Sequence, residues 1–480
     1  MATFIVDDNN NGDFLTIAGA IAAASAGDKI IVTGGDDNIH NEADILINKE
    51  LTIKSDSDGA TIDAQGIGRV FVIDDGDETT KLKVKLKDLT ITGGNAADVG
   101  GGILNQEKLI VKDSIITRNA AQIRGGGIFN VGGELKIKDS VISENLAVEA
   151  SGGGISNTGK LTVKDSIIDN NSAFAGGGIA NAGAAKIKDS IISNHFSGIG
   201  GGILNVAGGE LEVKESTISN NAGVVIGGGG IYNAGGELEV KESTISDNIA
   251  VDGGGILNEA GFVKVKDSDI TGNTADGTGN LGNGGGIFTF NGVLEVDDSD
   301  INGNSGNFGG GIASQSSQTK ITDSDIEDND GVFGAGITTL ASNLVLDDND
   351  FEDNTAIFGD SNVLELVTLV TGDDEANNLT GTSGNDQILG FGGKDTIDGQ
   401  GGDDLILGGT GADIFVLAAG EGTDTIGDFS DGEDLIRLVG GLTFSDLTFS
   451  GEDINFGNET LAILTGIDTT TLTSADFEVV

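Results

Sequence analysis

Residues 200–221 read GGGILNVAGGELEVKESTISNN, and residues 228–248 read GGGIYNAGGELEVKESTISDN. Two such similar segments, one directly after the other, indicate an internal repeat. Apolar and polar residues alternate within each copy, as in LEVKESTI, and this is the period of a β-strand rather than of a helix. We predict three short strands in each repeat, joined by turns in which glycine and asparagine supply unusual backbone angles.

The repeat extends over most of the chain. The segment GGGI, or a close variant, recurs with a spacing of 24 to 31 residues. Its isoleucine falls at Ile103, Ile128, Ile155, Ile179, Ile203, Ile231, Ile256, Ile287, Ile312 and Ile337. One repeat cannot bury its own apolar residues, whereas stacked repeats can, with each strand pairing with the equivalent strand of the next repeat. The spacing therefore predicts a β-solenoid.

Polar residues also recur at fixed places in the repeat. One asparagine follows GGGI, at Asn105, Asn130, Asn157, Asn181, Asn205, Asn233 and Asn258. A second set comprises Asn119, Asn145, Asn171, Asn221, Asn248, Asn273, Asn304, Asn329 and Asn354. An acid directly preceded by lysine recurs at Asp113, Asp139, Asp165, Asp189, Glu215, Glu242 and Asp267. We predict that stacked asparagines bond to one another through their amides, and that lysine offsets repulsion along the acidic column.

The segment before the repeats has the pattern of a cap. In residues 13–32, DFLTIAGAIAAASAGDKIIV, one helical face would carry Ile17, Ala20, Ile21 and Ala24, and the strand-like KIIV follows. Together with the repeats, this resembles the right-handed parallel β-helix proteins, which include pectate lyase-like enzymes and surface adhesins. The resemblance implies an all-β, right-handed parallel β-helix solenoid over residues 1–365. It also implies a helical cap at about residues 1–30 that covers the first strand edge.

A different repeat begins at Gly381. Four consecutive nine-residue units read GTSGNDQIL, GFGGKDTID, GQGGDDLIL and GGTGADIFV. Each has glycine at positions one and four, aspartate at position six and an apolar residue at position eight. Glycine lets backbone carbonyls turn inward, and carboxylate and carbonyl oxygens are the ligands that calcium prefers.

These units resemble the RTX nonapeptide repeat, the hemolysin-type calcium-binding motif of toxins and proteases. The resemblance implies a short calcium-binding parallel β-roll at residues 372–430, with two units in each coil and calcium as the cofactor. It implies metal ligands at Asp386, Asp395, Asp404 and Asp413, with Asp386 facing Asp404 and Asp395 facing Asp413. Turn carbonyls are implied as further ligands at Gly384, Gly393, Gly402 and Gly411.

Residues 431–480, which end in DFEVV, resemble the C-terminal type I secretion signal that follows RTX repeats. The N-terminal MATFIVDDNNNGDF has neither the basic nor the apolar region of a secretory signal peptide. The resemblance therefore implies export by the type I secretion machinery to the cell surface or the extracellular space, followed by calcium-driven folding there.

Charge excludes several partners. The 480 residues include 77 acidic and 25 basic ones, for a formal net charge of -52. Such a field opposes binding to nucleic acid and to anionic membranes. No apolar run reaches the roughly 18 residues that span a bilayer, so we expect no membrane insertion.

The function is open between two classes. Parallel β-helix enzymes act on polysaccharides as uronate lyases, C5-epimerases or glycoside hydrolases, and need a cation or a base beside the sugar. The candidate residues are Arg118, Arg124, His195, which stands where a ladder asparagine is expected, and Tyr232. The repeats are regular, and their longest departure is residues 275–284. We therefore favour a structural or adhesive calcium-binding solenoid, with self-association or an extracellular polysaccharide as candidate partners, and keep the enzyme as the alternative.

Overall fold

The computed structural model describes residues 1–9, 11–33, 39–56, 59–77, 79–277 and 283–479. Successive repeats coil into a parallel β-solenoid, as the repeat spacing predicts, and the coil is right-handed, as the resemblance to the parallel β-helix proteins implies. The centre of residues 275–284 lies outside the described residues, so the predicted longest departure stays a prediction.

One turn of the solenoid contains four strands rather than the three that the sequence predicts. A representative turn comprises Ile103–Asn105, Lys108–Lys112, Ile115–Thr117 and Ala120–Ala121. The prediction was wrong because the fourth strand varies from two residues, as here, to six in Leu146–Ser151, and therefore has no constant pattern of alternation.

Equivalent strands of successive turns form four parallel sheets, named here A to D. Among the described residues, sheet A contains Thr3–Val6, Lys29–Val32, Leu51–Ser55, Lys83–Lys87, Lys108–Lys112, Glu134–Lys138, Lys160–Lys164, Ala184–Lys188, Glu210–Lys214, Glu237–Lys241, Phe262–Lys266, Val293–Asp297, Gln318–Thr322 and Asn343–Asp347. Sheet B contains Ile39–Asn41, Ala60–Asp63, Leu89–Thr92, Ile115–Thr117, Val141–Ser143, Ile167–Asp169, Ile191–Ser193, Thr217–Ser219, Thr244–Ser246, Asp269–Thr271, Asp300–Asn302, Asp325–Glu327 and Asp350–Glu352.

Sheets C and D complete the coil. Sheet C contains Ile45–Ile47, Phe71–Ile73, Ile103–Asn105, Ile128–Asn130, Ile155–Asn157, Ile179–Asn181, Ile203–Val206, Ile231–Ala234, Ile256–Glu259, Ile287–Phe290, Ile312–Gln315, Ile337–Leu340 and Val363–Leu366. Sheet D contains Asn95–Ala96, Ala120–Ala121, Leu146–Ser151, Ser172–Ala175, Phe196–Ile199, Ala222–Ile226, Ile249–Ala250, Thr274–Ala275, Ser305–Phe308, Asp330–Phe333 and Thr355–Phe358.

Columns of aliphatic residues fill the interior of the coil. Ile103, Leu109, Val111 and Ile116 of one turn are fully buried, and their equivalents in the neighbouring turns pack above and below them. Because each strand alternates, every second side chain enters this core and the others face solvent. The GGGI isoleucines form one of these columns, which explains why the repeat is recognisable in the sequence.

The predicted asparagine ladders are confirmed. In the first, the Asn105 amide donates to Asn130 at 2.7 Å, and the Asn130 amide donates to Asn157 at 2.7 Å. In the second, the Asn119 amide donates to Asn145 at 3.1 Å. Both ladders lie at buried corners of the coil. The side-chain amides therefore supply hydrogen bonds that buried polar groups at these corners would otherwise have to make with water.

The first solenoid turn is covered by a short helix, Ile17–Ala23, which lies inside the predicted cap. The Thr16 side chain accepts a hydrogen bond from the N–H of Gly19 and so caps the helix. Ile17, Ala20 and Ile21 are buried against the first core layer. Within the described residues, no helix is both long enough and apolar enough to cross a membrane.

The C-terminal part forms a smaller β-roll. Its main sheets, E and F, also run through the last residues, which add an antiparallel hairpin to sheet E. Sheet E contains Thr368–Thr371, Asp386–Leu389, Leu405–Leu407, Asp424–Ile426, Glu459–Leu464, Asp453–Phe456 and Leu447–Ser450. Sheet F contains Asn378–Thr380, Thr396–Asp398, Ile414–Leu417, Leu435–Leu438 and Phe477–Val479, and a small sheet pairs Gly392–Gly393 with Thr410–Gly411. Two 3₁₀ turns occupy Phe444–Asp446 and Thr469–Thr471.

The roll lies beside the last solenoid turns. Phe308, Phe333 and Phe358 stack in a column on sheet D, with ring centroids 4.9 and 5.5 Å apart. Leu405 and Leu407 of the roll pack against this column. The sequence did not predict this contact, because neither repeat pattern says which surfaces of the two units meet.

Candidate calcium site

The nine-residue units of the roll stack in pairs. The apolar residue at position eight of each unit, such as Ile388 or Ile406, is fully buried in the core of the roll. Ile388 pairs with Ile406, and Ile397 pairs with Phe415. Units two apart are therefore neighbours in the same sheet, and one coil contains two units.

The four predicted aspartates are buried, with at most 2% of their surface exposed. Asp404 Oδ1 accepts a hydrogen bond of 2.8 Å from the backbone N–H of Asp386. Asp413 Oδ1 accepts one of 2.8 Å from the N–H of Asp395. The structure thus brings together both pairs that the RTX resemblance implies, with one oxygen of the later aspartate bound to the backbone of the earlier coil.

In two of these aspartates the second carboxylate oxygen has no hydrogen-bond donor. Asp395 Oδ2 and Asp404 Oδ2 are buried and, among the residues that the structure describes, have no hydrogen-bond partner. A buried carboxylate oxygen without a donor is strongly unfavourable unless a cation compensates it. These two oxygens are hard donors of the kind that calcium takes, so the residues fit the ion that the repeat implies.

Glycine at position one of each unit makes room for this carboxylate. A Cβ atom on Gly381 would lie 2.7 Å from Asp386 Oδ2, and one on Gly390 would lie 2.5 Å from Asp395 Oδ2. Gly399 and Gly408 face Asp404 and Asp413 in the same way. A side chain at position one would therefore collide with the aspartate carboxylate at position six. The sequence alone did not reveal this reason for the glycine.

Glycine at position four lies where neighbouring coils touch. Gly393, Gly402 and Gly411 have φ angles of 110°, 112° and 142°, which favour glycine, whereas Gly384 lies outside that region. A Cβ atom on Gly402 would come within 2.5 Å of the carbonyl carbon of Gly384. The turns are thus close together, and carbonyl ligation at these four glycines stays a prediction.

Negative charge accumulates along the column. Burial, followed by the neighbouring carboxylates, raises the pKa of Asp404 and of Asp424. Burial also raises the pKa of Asp413 and of Asp428. In each case the folded protein disfavours the ionised carboxylate. A divalent cation beside these carboxylates would offset this electrostatic cost and so stabilise the roll.

Sequence reasoning missed the continuation of the column. Asp434 Oδ1 accepts from the N–H of Asp413 at 2.8 Å, and Asp424 Oδ1 accepts from the N–H of Asp404 at 3.2 Å. Asp428 accepts from the N–H groups of Gly408 and Gly409. Asp424 and Asp434 follow their partners by 20 and 21 residues, outside the nine-residue register. Asp424 and Asp428 lie in the segment GTDTIGDF at residues 422–429, whose register differs from that of the four units, and Asp434 lies beyond this segment.

The candidate enzyme residues have other roles. His195 is buried in the second asparagine ladder, where its Nδ1 accepts from the N–H of Asn171 at 3.0 Å. Arg118 binds Glu144 at 2.8 Å, and the Tyr232 hydroxyl donates to Glu259. Arg124 is exposed on the segment between sheets D and C. Arg118 precedes Asn119, and three turns of the solenoid separate Asn119 from His195 along the ladder Asn119, Asn145, Asn171, His195. The structure therefore does not gather these residues into one site.

Two family comparisons agree with this geometry. Residues 201–367 match the family described as a right handed beta helix region. Residues 371–406 and 389–426 match the RTX calcium-binding nonapeptide repeat. The chain is therefore a right-handed parallel β-solenoid that carries calcium-binding RTX repeats. No curated protein matches the sequence.

Among solved structures, the chain is similar to the A-module of a mannuronan C-5 epimerase from Azotobacter vinelandii. The identity is 12%, the match covers 73% of this chain and 93% of that one, and the TM-score is 0.42. A mannuronic acid specific polysaccharide lyase from human gut microbiota is 10% identical, with 100% and 91% covered and a TM-score of 0.32. Likeness at this level carries no information about activity.

Proposed function

We propose that calcium ions bind between successive coils of the roll. The ligands are the carboxylates of Asp386, Asp395, Asp404 and Asp413, completed by the turn carbonyls of Gly384, Gly393, Gly402 and Gly411. The unpartnered oxygens of Asp395 and Asp404 support this proposal, because they leave a buried negative charge that a calcium ion would balance. Binding would then stabilise the roll, since the ion has no equivalent site in the unfolded chain.

For the whole chain, the proposal is a secreted structural or adhesive protein of the cell surface or extracellular matrix. Residues 1–365 form the rod, residues 372–430 bind calcium, and residues 431–480 direct export by type I secretion. The observation that carries the structural role is the unbroken register of sheet A from Lys83 to Asp347, in which each strand pairs with the next without a shift. Such a surface suits extended contact rather than a walled catalytic cleft.

A direct test uses the full-length protein in calcium. It is incubated with pectate, alginate and a panel of neutral glycans, and the products are analysed for new reducing ends, unsaturated uronates and altered epimer ratios. No turnover is the expected result. Turnover of any of these glycans would replace the structural role by the enzymatic alternative, and variants at Arg118, Arg124 and His195 would then show whether those residues take part.

A further inference from the structure

The outer side of sheet D carries an apolar patch on five consecutive strands. The strands are Leu146–Ser151, Ser172–Ala175, Phe196–Ile199, Ala222–Ile226 and Ile249–Ala250. The patch consists of large apolar side chains that are each 42 to 57% exposed, namely Leu146, Val148, Phe174, Phe196, Val224, Val225, Ile226 and Ile249. Together they expose on the order of 500 Å², as much as the largest apolar patch of a typical monomer, and such a patch commonly marks a binding surface.

The patch is local and almost free of charge. In the other strands of sheet D the first residue is small or polar, at Asn95, Ala120, Thr274, Ser305, Asp330 and Thr355. Within the five patch strands, all of which the structure describes, the one charged residue is Glu149, which accepts a hydrogen bond of 2.6 Å from the Gln122 amide. On a chain with a formal net charge of -52, this is a surface where a second acidic chain can approach at low electrostatic cost.

The C-terminal roll leaves this patch open. The roll packs against Phe308, Phe333 and Phe358, which are the fourth residues of their strands. Phe196 and Phe174 of the patch are a first and a third residue. Because successive side chains of a strand point to opposite sides of the sheet, the roll and the patch use opposite sides of sheet D.

Large and small side chains alternate along the patch. The first residues of neighbouring strands are, in order, Leu146, Ser172, Phe196, Ala222 and Ile249. At the third position Gly198 lies beside Phe174, since a Cβ atom on this glycine would come within 3.4 Å of the phenylalanine ring. The patch therefore has ridges and hollows in a regular order.

These ridges and hollows fit a second copy about one axis. The axis lies in the plane of contact, runs parallel to the strands and passes midway between Ser172–Ala175 and Phe196–Ile199. A half-turn about it sets the two patches face to face and reverses the direction of the solenoid. Phe196 then lies opposite Ser172 of the partner subunit. Phe174 lies opposite Gly198 of the partner subunit, so each ring of the central strands meets a hollow.

The outer strands of the patch follow the same rule. Leu146 lies opposite Ala222 of the partner subunit. Ile249 lies opposite Ala120 of the partner subunit, because Ala120 is the neighbour of Leu146 on the preceding strand. Facing layers pack well when large residues oppose small ones in this way. Each contact forms twice, as a twofold interface requires.

We propose that the apolar patch pairs two copies of this protein face to face, with their solenoid axes antiparallel. The inference rests on the proposed structural role and gives it a partner, a second copy of the chain. A second copy is favoured over another apolar partner because the alternation of large and small residues matches itself about this axis. The two copies would bury about 1,000 Å² in total, near the lower limit for a specific interface, so the dimer should be weak.

The test is sedimentation equilibrium of the full-length protein in calcium, with variants that change the ridges and hollows. Phe196→Ser removes a ridge, and Ser172→Phe fills the hollow opposite it, so each change alone should weaken dimerisation by about tenfold. The double variant exchanges the two sizes, and a serine then again faces a phenylalanine across the interface. Its dimerisation should return to within about threefold of the wild type.

The control is Leu15→Ser with Val345→Ser, which removes exposed apolar surface outside the patch and should dimerise like the wild type. Circular dichroism establishes that all forms are folded. Raising the NaCl concentration from about 0.05 M to about 0.5 M should strengthen wild-type dimerisation, because salt screens the repulsion between two acidic copies and leaves the apolar contact intact.

Four results would each overturn the interface. They are a monomeric wild type, undiminished dimerisation of either single variant, a double variant no stronger than the single ones, and dimerisation that salt weakens. None of these results bears on glycan turnover, so a structural role could still stand without this contact.

Discussion

Asp413 Oδ1 accepts a hydrogen bond of 2.8 Å from the backbone N–H of Asp395, 18 residues earlier in the chain. One oxygen of the carboxylate thereby sets the distance between two coils, and the carboxyl group of Asp395 is held beside it. Because the same column contains buried oxygens without donors, the geometry that pairs the coils also concentrates negative charge. Folding of the roll and binding of a cation are therefore expected to be coupled.

The first prediction concerns Gly399, whose missing side chain makes room for the Asp404 carboxylate. Gly399→Ala should displace Asp404 and destabilise the calcium-loaded roll by about 2 kcal/mol, as overpacking of a tight site commonly does. The measurement is the calcium concentration at half-saturation together with the thermal midpoint of the roll.

The matched control is Gly401→Ala, two residues away in the same unit. A Cβ atom there would meet nothing closer than 3.8 Å, so both quantities should stay at their wild-type values. Equal behaviour of the two variants would contradict the role assigned to position one.

The second prediction concerns His195. Burial lowers the pKa of its imidazole to about 4 from an ordinary value of 6.5. The unfolded chain therefore binds more protons than the folded protein between these values, and stability falls as the pH drops through that window. From about pH 7.5 to about pH 5 the loss should be about 2 kcal/mol.

Replacing His195 by asparagine restores the residue type of the ladder and removes this titration. His195→Asn should therefore lose about 2 kcal/mol less than the wild type between about pH 7.5 and about pH 5, as measured by urea unfolding at both pH values. A variant with the same pH dependence as the wild type would show that His195 does not titrate in this way.

The third prediction follows from the contact between the roll and the phenylalanine column. Phe333→Ala removes a ring that stacks on Phe308 and Phe358 in the column covered by Leu405 and Leu407. If docking stabilises the folded roll, the variant should bind calcium several-fold more weakly, because coupling between two equilibria is reciprocal. Phe174→Ala is the control, since that ring is exposed on sheet D and 51% of its surface faces solvent. Identical calcium titrations of the Phe333 and Phe174 variants would mean that the contact is energetically silent.

The fourth prediction concerns export. Deleting residues 431–480 should abolish secretion from cells that express a type I machinery, as measured by the protein in the medium. The deletion also removes strands such as Phe477–Val479 from the roll, so a folding defect must be separated from a lost signal. The double variant Asp404→Asn with Asp413→Asn impairs calcium binding, keeps residues 431–480 and should still be exported. Undiminished secretion of the truncated chain would refute the signal.

Much of the fold was predictable because the repeats impose their period on the sequence. The GGGI isoleucines become a core column, and Asn105 bonds to Asn130 as expected of equivalent residues in adjacent turns. The fourth strand was not predictable, because Ala120–Ala121 is too short to show alternation.

At the candidate site, the pairing of Asp395 with Asp413 follows from the nine-residue register. The roles of Asp424, Asp428 and Asp434 do not, since the loop around Glu421 breaks that register. The docking of Leu405 on Phe333 depends on how two units meet, and a periodic pattern carries no information about that.

The most direct test of the central claim is a calorimetric calcium titration of the full-length protein beside Asp404→Asn. Asparagine can still accept the hydrogen bond from Asp386 but carries no charge, so it separates coil pairing from ion binding. Asp431→Asn, an exposed position, is the control. We expect the wild type and the control to bind calcium with dissociation constants on the order of 10⁻⁴ to 10⁻³ M and to gain β-structure on binding. Asp404→Asn should lose at least one site, and a titration of that variant indistinguishable from the wild type would contradict the account.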